Sequence, residues 1–218
     1  IGAATLVATV TGTTWTDTGL APGTHHYQVV ARDAAGNTGP AAAAGADVPV
    51  PGGDAVNVNL SPTSDTYSNQ GAPGSAYGTS TSLASRGSLS YASYLAFELP
   101  AAPEGLTLVA AHLQVRTTTA AYAGSLDEHQ VSAITTPWAE STLTHAARPA
   151  VGAAIGTITG ATDLSTAYLS SDLSAGLAPF LGAPATLTVS SLGADNLWFS
   201  SVDSGNPAFR PMLTLQFA

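Results

Sequence analysis

The chain contains no cysteine and no lysine, and only 9% of its 218 residues are charged, against roughly 25% in an average soluble domain. The missing cysteines exclude disulfides, thiolate nucleophiles and cysteine-based zinc clusters. The missing lysines leave Arg32, Arg86, Arg116, Arg148 and Arg210 as the permanent cations, scattered against fourteen Asp and Glu for a net charge of −9. No basic stripe is available to neutralise phosphates, which argues against nucleic acid and against an anionic membrane surface. No apolar run approaches the ~20 residues of a membrane-spanning helix, so membrane insertion is not expected. No signal-peptide pattern opens the chain, and Ile1 leads directly into a strand-like run. That start is expected of a processed or truncated piece of something longer.

Catalytic signatures are missing as well. Gly74-Ser75-Ala76-Tyr77-Gly78 and Gly87-Ser88-Leu89-Ser90 lack the spacing of a G-x-S-x-G nucleophile elbow. There is no H-E-x-x-H, no P-loop and no G-x-G-x-x-G. Glu140 and His145 flank a turn and have the chemistry of an acid–base pair. A structural role for them fits better, so no enzyme activity is expected in this chain; any catalysis would belong to an upstream domain.

What is present is a β pattern. Hydrophobic residues make up 44% of the chain, enough for a core, and the surface falls to Thr, Ser, Ala, Asn and Gly. Val109 to Arg116 alternates, with Leu113 and Val115 inward and His112, Gln114 and Arg116 outward. Comparable runs lie at 56–60, 94–99, 131–134, 186–189, 197–201 and 212–215. One short helix is expected after Asp172, bearing Leu177, Phe180 and Leu181, with Asp172 as a cap. Pro and Gly punctuate residues 41–53, which read as an extended linker between a segment at 1–40 and a domain at 54–218.

Leu6 to Val10, Asp17-Thr18-Gly19-Leu20-Ala21-Pro22-Gly23-Thr24 and Tyr27 to Asp33, closing at Gly36-Asn37, resemble the second half of a fibronectin type III domain. That family's sandwich needs about seven strands. Here three or four are expected, so open edges and self-association through this half are implied.

The larger segment resembles DNRLRE-type β-sandwich domains. The resemblance rests on Asp65-Thr66-Tyr67, on Ala76-Tyr77-Gly78, on Tyr94 to Pro100, on Arg210-Pro211, and above all on Trp138, Glu140, Thr142, Thr144 and Pro149 of a W-x-E-x-T-x-T…P signature. It implies an antiparallel, jelly-roll-like all-β sandwich with the signature locking a loop. It also implies an accessory module of secreted polysaccharide-active or cell-surface bacterial proteins.

Binding sugar requires exposed aromatic faces and planar polar groups. Strand parity places Trp198 outward between Leu197 and Phe199, while Tyr77, Tyr91 and Tyr122 lie in Ser/Thr/Gly-rich context and Arg116 on an outer strand face. These five are the candidate carbohydrate contacts. Phe97, Phe199, Phe217 and Trp138 are assigned to the core. No cofactor is required. Structural calcium is a candidate ion, because Asp195-Asn196 and Asp203-Ser204-Gly205-Asn206 carry oxygen donors in loops, and Asp127-Glu128-His129 is a compact ligand cluster; which metal residues these would be is left open.

Two functional expectations follow. The first is a non-catalytic extracellular module binding a polysaccharide or cell-surface glycan as the C-terminal part of a secreted multidomain enzyme. Relatives of the domain resemble alginate-binding modules, but a net charge of −9 favours a neutral glycan. The alternative is a structural or adhesive surface or fibre subunit that assembles through exposed β-edges.

Overall fold

A computed structural model describes residues 6–18, 20, 23–48, 55–87 and 90–218. The chain divides into two compact units, residues 1–53 and 54–218.

In the first unit, β1 (Gly23–Val29) pairs antiparallel with β2 (Ala42–Val48), from Gly23 opposite Val48 to Val29 opposite Ala42. Asp33 organises the turn between them, its carboxylate accepting from the Ala35 and Asn37 N–H groups and from the Asn37 side chain. Tyr27 donates to Asp17 at 3.0 Å, and the Trp15 ring meets Tyr27 edge-on. Two sequence expectations change here. The run 6–10 forms no strand, because a β-prone segment without a partner has nothing to complete its ladder. The Ala-rich run expected within the linker is strand from Ala42 to Val48, since small side chains permit close pairing where β1 offers an edge.

The second unit is the all-β, antiparallel, sandwich-like fold that the strand pattern implies. Its strands are β3 (Val56–Leu60), β4 (Ser64–Asn69), β5 (Ser82–Ser85), β6 (Tyr91–Glu98), β7 (Leu108–Arg116), β8 (His129–Ile134), β9 (Ala154–Ile158), β10 (Ala167–Leu169), β11 (Pro184–Ser191), β12 (Leu197–Ser200) and β13 (Met212–Phe217). One sheet has the order β10-β7-β13-β3 and a second the order β4-β6-β11-β8-β9; β12 and β5 form a separate ribbon. Among the described residues there is one short α-helix, α1 (Ser174–Leu177); it follows Asp172, whose carboxylate accepts from the Ser174 N–H and hydroxyl and from the Ala111 N–H.

Alternation builds the core. Leu113 and Val115 of β7 and Leu213, Leu215 and Phe217 of β13 meet Leu95 and Phe97 of β6 and Leu187 and Val189 of β11, all essentially without solvent exposure. Each such side chain contributes about 2 kcal/mol through burial. The five-stranded sheet is also covered on its other face, where Ala92, Tyr94, Ile134 and Leu143 form a smaller core against Trp138 and Val151.

The β5–β12 ribbon connects the two sheets. β5 packs on β4 and β6, while β12 contacts β7. Thr118 N–H donates to the Trp198 carbonyl and Trp198 N–H to the Ala123 carbonyl, which fixes the turn carrying Tyr122 against β12.

Candidate functional site

The parity of β12 turns Leu197 and Phe199 into the core and Trp198 to the other side, where it is half-buried. Its cover comes from its own domain. Tyr67 meets Trp198 edge-to-face at 5.5 Å between ring centroids, Tyr91 lies at 5.6 Å and Tyr122 at 6.0 Å. Tyr77 stacks on Tyr67 at 4.4 Å with 24° between planes, and Tyr91 meets Tyr67 at 6.1 Å. Half of the seven Tyr and three Trp of the chain therefore converge on one cluster.

Four of its members, Tyr77, Tyr91, Tyr122 and Trp198, are the aromatics selected from sequence. Tyr67 is the hub that sequence reasoning missed. It is 6% exposed, and burial, followed by the neighbouring Tyr77, Tyr91 and Tyr122, pushes its phenol up to about 12. The hub is therefore a neutral packing element. Tyr122 is its opposite, 62% exposed at the rim.

Polar groups adjoin the aromatic wall. Tyr91 lines an open hollow of about 340 Å³ with Asn69, Gln70, Gly71, Arg86 and Ser90. A second hollow of about 350 Å³ shares Arg86 and Ser90 and continues to Leu192, Gly193 and Ala194. Asn69 donates to the Tyr77 hydroxyl at 3.1 Å, Ser90 donates to Gln70, and Arg86 Nε donates to the Ala194 carbonyl at 2.9 Å. The two hollows thus bring the Tyr91 ring together with amide, hydroxyl and guanidinium groups.

Arg116 is placed elsewhere. Its guanidinium lies 4.5 Å over the Phe209 ring, a cation–π contact on β7. Arg86, which sequence reasoning did not select, occupies the groove. It follows β5, and Ser85 beside it pairs with Leu197 of β12, a non-local register that no local pattern encodes.

The Trp138 signature grips this site from behind. Trp138 Nε1 donates to Thr186 at 2.8 Å, its ring meets Tyr94 edge-on, and the Tyr94 hydroxyl donates to the Pro149 carbonyl at 2.8 Å. Thr142 closes the turn through the Ala139 carbonyl, and Thr144 bridges Ala76, the residue before Tyr77. Glu140 Oε1 accepts from the Asp65 N–H at 2.9 Å. A Cβ on Gly78 would lie 2.4 Å from the Glu140 carbonyl oxygen. Gly78→Ala is therefore expected to cost about 1–3 kcal/mol, read as a lowered urea midpoint, because it pushes two backbones apart.

Two further groups lie beneath the surface. His129, the last residue of the candidate ligand cluster Asp127-Glu128-His129, begins β8, is fully buried and shares a 2.8 Å hydrogen bond with Ser85. Burial pushes its pKa down to about 4 against the opposing pull of Asp127 and Asp195. Those two carboxylates are used within loops: Asp127 accepts from the Asp195 N–H, and Asp195 from the Leu126 and Asn196 N–H groups. Asp65 is 1% exposed; its Oδ2 accepts from the Val202 N–H at 2.8 Å, while its Oδ1 has no partner. Burial above all, then the charges of Asp203 and Glu140, raises its pKa to about 7.

An all-β sandwich with an aromatic cluster beside a polar groove is compatible with a carbohydrate-binding module. Residues 56–216 match carbohydrate-binding module family 96, and the chain belongs to that family. Modules of this kind are typically non-catalytic. Over 52 residues, 23% of this chain, the sequence is also 56% identical to Chitinase C of Streptomyces lividans. The matched stretch spans 8% of that protein's length.

Proposed function

We propose that this module holds a neutral polysaccharide on the secreted multidomain enzyme to which it belongs, using Trp198, Tyr91 and Tyr122 as the stacking surface and Asn69, Gln70 and Arg86 as hydroxyl partners. Tyr91, which packs on Trp198 and also lines the hollow with Asn69, Gln70 and Arg86, carries this reading. Chitin is the first polymer to test, because the partial relative is a chitinase. The mechanism is proximity: retention on an insoluble chain raises the effective substrate concentration of an attached hydrolase domain without adding chemistry. A net charge of −9 disfavours a polyanion.

Tyr122 supplies a clean test, because its exposure leaves little packing to lose. In depletion assays on insoluble chitin, cellulose and xylan, the chain should be retained on at least one polymer, and Tyr122→Ala should weaken that retention about tenfold, the scale of a single interface side chain worth more than about 1 kcal/mol. Equal retention of variant and parent would remove Tyr122 from the site, and no retention on any polymer would remove the reading.

One observation favours the structural alternative. In the first unit Val29 and Val30 are exposed, and β1–β2 is a two-stranded sheet, an arrangement marginal by itself and open to strand addition. Concentration-dependent oligomers in light scattering, with no polysaccharide retention, would select assembly as the function.

A further inference from the structure

Three segments distant in sequence deliver carboxylates to one point in the second unit. Asp65 comes from β4, Glu140 from the Trp138 signature and Asp203 from the loop after β12, and one oxygen of each lies within 4.8 Å of the others. Acidic clusters are common, but this one holds an anomaly. Asp65 is 99% buried in the sense that 1% of its surface is exposed, and its Oδ1 has no hydrogen-bond partner. The charges acting on it are those of Asp203 and Glu140, with no cation among them. A buried carboxylate with an unpartnered oxygen, clustered with two more carboxylates, is an arrangement that a cation would complete.

We infer that Asp65, Glu140 and Asp203 bind a divalent cation, and that the ion is calcium. All three ligands are carboxylate oxygens, a donor set that suits calcium or magnesium over zinc or copper. Calcium is favoured between the two because it accepts irregular sets of six to eight oxygen ligands, whereas magnesium demands near-ideal octahedral geometry and is usually held through one or two carboxylates. Exposed Asp203 leaves one side open to water, which supplies the remaining positions of a six- to eight-coordinate ion.

The location gives the ion a role in the groove. Side chains two apart on a strand share a face, so Asp65, Tyr67 and Asn69 of β4 present a cation ligand, the aromatic hub and a groove amide in succession. Asp203 stands five residues beyond Trp198, and Glu140 abuts Gly78 beside Tyr77. An ion here ties β4, which carries Tyr67, to the loop that follows Trp198 and to the Glu140 turn that abuts Gly78 beside Tyr77.

The test uses the full chain, stripped with a chelator, and needs no polysaccharide, so its outcome is separate from that of the retention assay. Calcium should titrate with saturable heat at one ion per chain, with a dissociation constant near the 10⁻⁴ to 10⁻³ M of extracellular calcium modules, and at a hundredfold excess over that value should raise the thermal midpoint by about 5–10 °C. Magnesium should shift it less. Asp203→Asn, at an exposed position, should keep the fold and lose at least tenfold in calcium affinity. Asp65→Asn should raise the midpoint of the chelated protein and abolish the response to calcium. A folded, stripped parent with neither heat nor midpoint shift in calcium up to about 0.1 M, a hundredfold excess over the weakest expected dissociation constant, overturns the site; so does Asp203→Asn binding as the parent does, and an equal response to magnesium overturns the choice of ion.

Discussion

Replacing Trp198 with Ala is expected to lower retention on the preferred polysaccharide about thirtyfold, the loss of about 2 kcal/mol typical when a central Trp is truncated. Trp198 touches Tyr67, Tyr91 and Tyr122 at once, so it supplies its own face and holds Tyr91, which lines the groove, and the exposed Tyr122. The same contacts give the variant a folding cost, on the order of 2 kcal/mol for a half-buried indole. Trp198→Phe separates the two effects. A phenyl ring refills most of the packing, so the thermal midpoint should recover largely, while the smaller face should still weaken retention severalfold. Stacking between neutral surfaces is not screened by ions, and retention of the parent should change less than about twofold between low and high salt. A Trp198→Ala protein that unfolds cooperatively and is retained like the parent would place the binding surface elsewhere.

The parts of this molecule that sequence makes visible are those governed by local periodicity. β7 is legible because Ala111, Leu113 and Val115 alternate with polar neighbours, and β13 because Leu213, Leu215 and Phe217 do the same. Strands β5, β9 and β10 escape because a four-residue Ser-Leu-Ala-Ser segment, a Gly-interrupted run and a three-residue segment carry too little pattern. The site divides in the same way. Tyr77, Tyr91 and Tyr122 stand out by their polar context and Trp198 by its parity. Their meeting at Tyr67 depends on the pairing of β12 with β5 and of β4 with β6, which are contacts of high sequence separation. Arg116 illustrates the limit from the other side: its outward position on β7 is plain from the alternation, yet Phe209, brought over from the segment before β13, takes its guanidinium. The carboxylates of Asp65, Glu140 and Asp203 are invisible as a group until the chain is folded, because each sits in a stretch with an adequate local explanation.

Acidification should weaken the fold through His129, by roughly 3 kcal/mol in full. In the unfolded chain this imidazole titrates near 6.5, whereas burial lowers it to about 4 in the folded protein. Above pH 6.5 it is neutral in both states and costs nothing. Between pH 6.5 and 4 the unfolded chain takes up the proton and the folded protein does not, so stability falls with pH, and below 4 the loss is complete. Asp65 works in the opposite direction, since its raised pKa makes the folded state the better proton acceptor as pH falls from 7 toward 4. A comparison of the parent with His129→Asn cancels that second contribution, because both proteins carry Asp65. In urea titrations with chelator present, the stability advantage of the parent over the variant should shrink by roughly 2–3 kcal/mol between pH 7 and pH 4.5. Parallel pH profiles would show that the ring is not held neutral. The effect reaches the groove through one hydrogen bond: His129 anchors Ser85, whose neighbour Arg86 lines both hollows. The Nε2 of His129 is buried without a partner, so a second proton there has no acceptor, and the charged ring must pull away from β5 to reach water. Polysaccharide retention should therefore decline as the pH falls through about 4 in the parent, and His129→Asn should remove that decline.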